Sequence, residues 1–321
     1  MDVPVTQWEG KMIRYSVRLL GAGAKGARIG GLLLRDLLEA LLEASRGAVR
    51  LAVEGRSRAP GAAPAWLTQA ADFDVVGFTD GSTILELEEL PLSEAVPDQF
   101  AQDDLFHPID PARGAIGLVL ESLADAFEGR GDSDRFDHAL LDQYAGFGRV
   151  LNQNIDAIEM TNSGSSARPI TVTRESLETV RRLGRDTPPD QRVRIAGWLD
   201  AIRHSDRMFT IKLESGVTLR GVAEGVGPTQ MASLFGRKTT VSGVAVFRPS
   251  GKILRVDAEH IVAAGADFST WSVEPVPLFE PPAPGALRVP QGPRSGVNAL
   301  MGQWPGNETD EEIEELLEGL S

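Results

Sequence analysis

The chain has 321 residues, 42% apolar and 24% charged, with no cysteine and a net charge of -14 at pH 7. That balance belongs to globular proteins long enough for two ordinary domains, and it excludes disulfide staples, thiolate nucleophiles and cysteine-ligated zinc. No run approaches eighteen apolar residues, and the opening MDVPVTQWEGK lacks the basic-then-apolar order of a secretory leader, so a soluble cytoplasmic protein with no membrane partner is expected.

In chain order, MIRYSVRLL alternates Ile13, Tyr15, Val17 and Leu19 with Arg14, Ser16 and Arg18, the period of a half-exposed strand. Leucines at 34, 37, 38, 41 and 42 predict a helix from Ile29 to Ala44, with Gly47 as its stop and AVRLAVEG as the next strand. FDVVGF and STILELEEL, joined through Thr79, Asp80 and Gly81, predict a hairpin. Helices are expected over about Pro111–Phe127 and Arg135–Leu151. Together these define an α+β domain over 1–162, mixing antiparallel sheet and helix. A connecting segment, 163–189, follows TNSGSSARP at its edge.

Residues 190–265 carry eleven basic and seven acidic side chains, the one positive stretch of an acidic chain. RVRIAGWLDAIRH, RMFTIKLESG, VTLRGVAEG, KTTVSGVAVFR and ILRVDAEHIVAA read as five strands, with the short helix PTQMASLFG between the third and fourth. This β-β-β-α-β-β order resembles an OB-fold, a small five-stranded barrel; an SH3-like barrel has a similar strand count. The OB resemblance implies a face where Trp198, Phe209 and Phe247 stack on bases while Arg220, Arg248, Lys252 and Arg255 track phosphates of a nucleic-acid partner. The same aromatics, flanked by Ile and Leu, equally fit a core.

GAGAKG places Gly21, Gly23 and Gly26 as G-x-G-x-x-G between a strand and a helix, with Glu54 where a ribose-binding acid could sit, which looks like a dinucleotide fingerprint and would imply an NAD-binding enzyme. Against it, the preceding strand is not apolar on both faces and no βαβ units follow, so no cofactor is expected. GRSRAP around Ser57 lacks the second glycine of a nucleophile elbow. DSDRFD suits helix capping by Asp132 or Ser133 better than calcium binding. His107, His138, His204 and His260 have no metal-ligand spacing, leaving no metal and no catalytic constellation.

Seven prolines lie between Glu274 and Arg294, so 266–295 reads as a semi-rigid linker. The tail, 296–321, has seven acids and no Lys or Arg. Thr309 and Glu312 form a capping box, and Ile313, Leu316, Leu317 and Leu320 make one apolar stripe on an acidic helix. GQWPGNETDEEIEELLEGL resembles the toxin-binding tails of bacterial type II antitoxins that neutralise PIN-type ribonucleases. The resemblance implies a protein partner gripped by Trp304, Pro305 and the apolar stripe, with Glu308, Asp310, Glu311 and Glu312 standing where RNA phosphates would. The preceding 300 or so residues depart from the small DNA-binding domain usual in that family. The alternative is a nucleic-acid-binding barrel autoinhibited by the same tail.

Overall fold

A computed structural model describes residues 12–24, 26, 28–79, 83–100, 110–164, 168–202, 208–223 and 226–278. All of these belong to one compact unit, Met1–Leu278. The tail residues Trp304 to Leu320 and most of the proline-rich linker lie outside the described residues.

The first strand forms as its alternation demands. β1 (Ile13–Leu20) is followed by α1 (Gly31–Glu54), α2 (Ala65–Ala70), β2 (Asp74–Thr79), β3 (Ile84–Glu89), α3 (Leu92–Ala95), α4 (Ala115–Phe127), α5 (His138–Tyr144) and α6 (Phe147–Leu151). β4 (Ala157–Asn162), β5 (Ile170–Val172) and α7 (Arg174–Asp186) complete the domain. The sheet is antiparallel throughout, in the order β2-β3-β1-β4-β5. Tyr15, Val17 and Leu19 share one face with Leu85, Leu87, Ile158 and Met160, and α1, α4, α5, α6 and α7 pack over it. The opposite face carries Arg14 and Arg18, paired with Glu88 and Glu159.

Two expectations are corrected. AVRLAVEG is no strand: α1 runs through Gly47 to Glu54 and stops at Gly55, which is left-handed at φ 74° and returns its N–H to Leu51. Gly47 is a contact glycine, since a Cβ there would lie 2.0 Å from Gln143 Oε1 and 2.8 Å from Leu140 Cδ1 of α5. The segment 163–189 does more than connect. It supplies β5 and α7, and Val172, Leu177, Val180 and Leu183 are buried in the first core. Thr173 caps α7 through a reciprocal bond with Ser176, and a single apolar stripe follows.

The second half is a closed barrel of β6 (Gln191–Ile202), β7 (Met208–Lys212), β8 (Thr218–Ala223), β9 (Lys238–Phe247) and β10 (Ile253–Ala263). α8 (Pro228–Leu234) lies between β8 and β9 as the sequence predicts, sending Met231 and Leu234 into the barrel core. Neighbours run antiparallel except β8 and β10, which close the barrel in parallel. α9 (Phe268–Trp271) then packs on β6 and β9. Among the described residues no helix is long and apolar enough to cross a membrane.

Candidate functional site

The hairpin turn of β9 and β10 and the outer side of β7 and β8 face the α+β domain. Between them lies a cleft of about 940 Å³. One wall is apolar: Ala48, Leu51 and Leu118 from α1 and α4 face Met208, Val222 and Leu254 of the barrel. The other is charged, with Arg113, Glu121, Asp125 and the 130–135 loop opposite Arg220 and Arg255.

The loop before α5 joins the two sides. Asp137 is buried and accepts from Leu140 N at 3.0 Å as the helix cap, from Ser57 N at 3.0 Å, from the Ser57 hydroxyl, and from Arg255 Nη1 at 3.1 Å. Arg255 also reaches Asp257 at 2.9 Å. Asp134 takes Arg248 Nε at 3.0 Å and stands 3.7 Å from Arg220 Nη1; Asp132 takes Lys252 Nζ at 2.8 Å. Ser250 N donates to Gly131 O at 3.2 Å. Hydrogen bonds from Lys252 and Ser250 hold the Asp132 carboxyl below its ordinary range, whereas burial pushes Asp190, near Arg255, upward.

All four cations expected to track phosphates share one face; Arg248, Lys252 and Arg255 are held at hydrogen-bond distance by aspartates of the chain's own α+β domain, while Arg220 stands 3.7 Å from Asp134. The aromatics do not join them. Phe209 and Phe247 are sealed in the barrel core, 1% and 0% exposed, because inward positions of a small barrel are filled by side chains. Trp198 lies on another side of the barrel, edge-on to Phe268 with ring centroids 5.2 Å apart and Lys238 over both rings. DSDRFD does cap α5, through Asp137 and not Asp132 or Ser133, and its other two aspartates reach the barrel.

The glycine fingerprint has a structural cause of its own. A Cβ on Gly21 would lie 2.7 Å from Asn154 O, and one on Gly23 would lie 2.4 Å from Gln153 O; the Gly23 N–H is already given to Asn154 O at 2.8 Å. Gly26, at φ 63°, accepts at its carbonyl from the Thr83 hydroxyl. The loop thus packs on protein backbone beside an antiparallel sheet, not in the strand-helix-strand setting that cradles a pyrophosphate. Glu54 pairs with Arg50 at 2.8 Å and Arg56 at 3.7 Å. Ser57 is a buried donor to Asp137.

His138 stands 3.4 Å from Asp142, and His260 is exposed on β10; His107 and His204 lie outside the described residues. No group of three potential metal ligands occurs among the described residues. A second buried acid, Glu89, receives Ile116 N at 3.1 Å at the start of α4, and burial beside Tyr15 lifts it to about 7. Fold and site define a two-part protein, an α+β domain locked by aspartates to a closed five-stranded barrel. No family model, curated protein or solved structure matches the chain.

Proposed function

We propose that the protein is a non-enzymatic, antitoxin-like interaction protein whose acidic C-terminal stretch captures a protein partner, a PIN-type ribonuclease being the class its motif fits. One observation carries the preference over a nucleic-acid-binding barrel. Of the cations expected to hold phosphates, Arg248, Lys252 and Arg255 are already held by Asp134, Asp132 and Asp137, so that face is largely neutralised from within and only Arg220 among the four is loosely opposed. The remaining recognition signal is the tail sequence, with Trp304 as aromatic anchor, Ile313, Leu316, Leu317 and Leu320 as stripe, and acids suited to a basic RNA-cleaving groove. We further propose that the barrel is of the OB type, a reading supported by its closure of third and fifth strands in parallel and the helix between third and fourth.

The test is whether a PIN-type ribonuclease is encoded beside this gene, its absence counting against the reading, and then RNA cleavage by that enzyme, measured with the full chain and with Trp304→Ala and Leu317→Asp. Stoichiometric suppression by the full chain, relieved by either substitution, supports the reading. Suppression that both variants retain, or none by the full chain, sinks it.

A further inference from the structure

The cleft between α1, α4 and the barrel has the dimensions and chemistry of a small-molecule site. Ligand pockets of roughly 300–1,000 Å³ concentrate at domain junctions and combine apolar walls with a few convergent polar groups. This one holds about 940 Å³. Its apolar wall is continuous across the two domains: a Cβ on Gly55, at the end of α1, would lie 3.4 Å from Met208 Cε and 3.6 Å from Val222 Cγ2.

The charged wall is unequal in how firmly its guanidinium groups are held. Arg255 is 11% exposed and bonded to Asp137 and Asp257; Arg130 and Arg135 both donate to Asp125; Arg113 pairs with Glu121. Arg220 differs. Its guanidinium is 48% exposed, makes no side-chain hydrogen bond among the described residues, and has one ionic neighbour, Asp134, at 3.7 Å. That distance is too long for a hydrogen bond. Asp134 is itself 49% exposed and is taken at closer range by Arg248. A guanidinium with five donors and no tight partner among the described residues therefore borders the same cavity as Met208, Val222 and Leu254.

We propose that this cleft binds an amphipathic organic anion, its apolar body against Leu51, Leu118, Met208 and Val222 and its phosphate or carboxylate on Arg220. A planar fork of donors matches either head group in two parallel hydrogen bonds. The proposal does not rest on the tail's proposed role.

The test uses the full chain and the probe 8-anilinonaphthalene-1-sulfonate, an aromatic sulfonate whose fluorescence rises in apolar surroundings. One equivalent should bind, with affinity at least tenfold weaker in Arg220→Ala and also weakened in Leu118→Ala, a half-buried position of the apolar wall, but unchanged in Arg194→Ala, which lies elsewhere on the barrel. Arg220→Lys, which keeps the charge without the fork, should fall between. Displacement by a nucleoside monophosphate or by decanoate tells a phosphate ligand from a fatty carboxylate. No fluorescence rise, several weak equivalents, displacement by neither competitor, or equal binding by Arg220→Ala overturns the proposal; unchanged thermal midpoints in the variants keep a folding defect from mimicking success.

Discussion

The two domains treat buried polarity in opposite ways. Among the described residues the barrel buries no charged side chain, only Thr210, Thr239 and Thr240, while the α+β domain buries Asp36, Glu89, Asp125 and Asp137. The barrel is specified by apolar alternation and close strands; the α+β domain depends on carboxylates finding donors far along the chain. A charge buried without its partner is among the costliest single defects, so the α+β domain and the joint should be the more sensitive to substitutions at polar positions.

The sharpest break in that contrast is Asp137→Ala. It removes the α5 cap, strands the Ser57 donors and leaves the largely covered Arg255 without this carboxylate, so unfolding stability should drop by about 3–5 kcal/mol. Urea unfolding measures this, and Arg255→Leu added to it should recover part of the loss; a drop below about 1 kcal/mol would show that the joint is not held there.

Glu89 gives the next effect, and its sign is set by burial. With its folded pKa raised to about 7 from an ordinary 4.5, the protonated acid is favoured in the fold, so this stabilisation is complete below about pH 4.5 and disappears as pH climbs through 7. The full swing is about 3 kcal/mol. Glu89→Gln keeps the shape and should flatten that part of the profile, making the variant the more stable one at pH 8; parallel profiles for both proteins would refute the assignment.

In the barrel, Gly221→Ala probes packing in place of polarity. Its Cβ would meet Phe209 Cζ at 2.2 Å and Val256 O at 2.7 Å, so a loss of about 1–3 kcal/mol without any pH dependence is expected. Smallest of all is Lys252→Ala, which breaks an exposed pair with Asp132 and should change stability by under about 1 kcal/mol. Thermal melts at low and high salt check both, since only the second should respond to salt.

The same contrast explains what the sequence disclosed. The barrel's five strands and its helix were legible because the inward positions are mostly apolar and the turns carry their own signals, as at Pro249 to Gly251. In the α+β domain the decisive contacts join residues whose chemistry looks unremarked alone: Ser57 with Asp137, Gly21 with the 153–155 backbone, Gly47 with Gln143. Gly47 reads as a stop because glycine weakens helices, yet here it admits a neighbouring helix. α7 did carry a legible signal, Thr173 and Ser176 ahead of Leu177, Val180 and Leu183, which the polar TNSGSSARP stretch obscured. The cleft was half visible: its cations follow from the strand pattern, but the aspartates opposing them sit in a loop whose reach no local pattern encodes.

Gln191, the first residue of β6, holds Leu278 by two hydrogen bonds, Nε2 to the carbonyl at 2.8 Å and the Leu278 N–H to Oε1 at 3.0 Å. The chain thus enters and leaves the barrel segment at adjacent points. Such a closed cassette can be moved between hosts or permuted without stretching its ends, and mechanical tension applied through those ends would peel apart one amide pair before it loaded the strands.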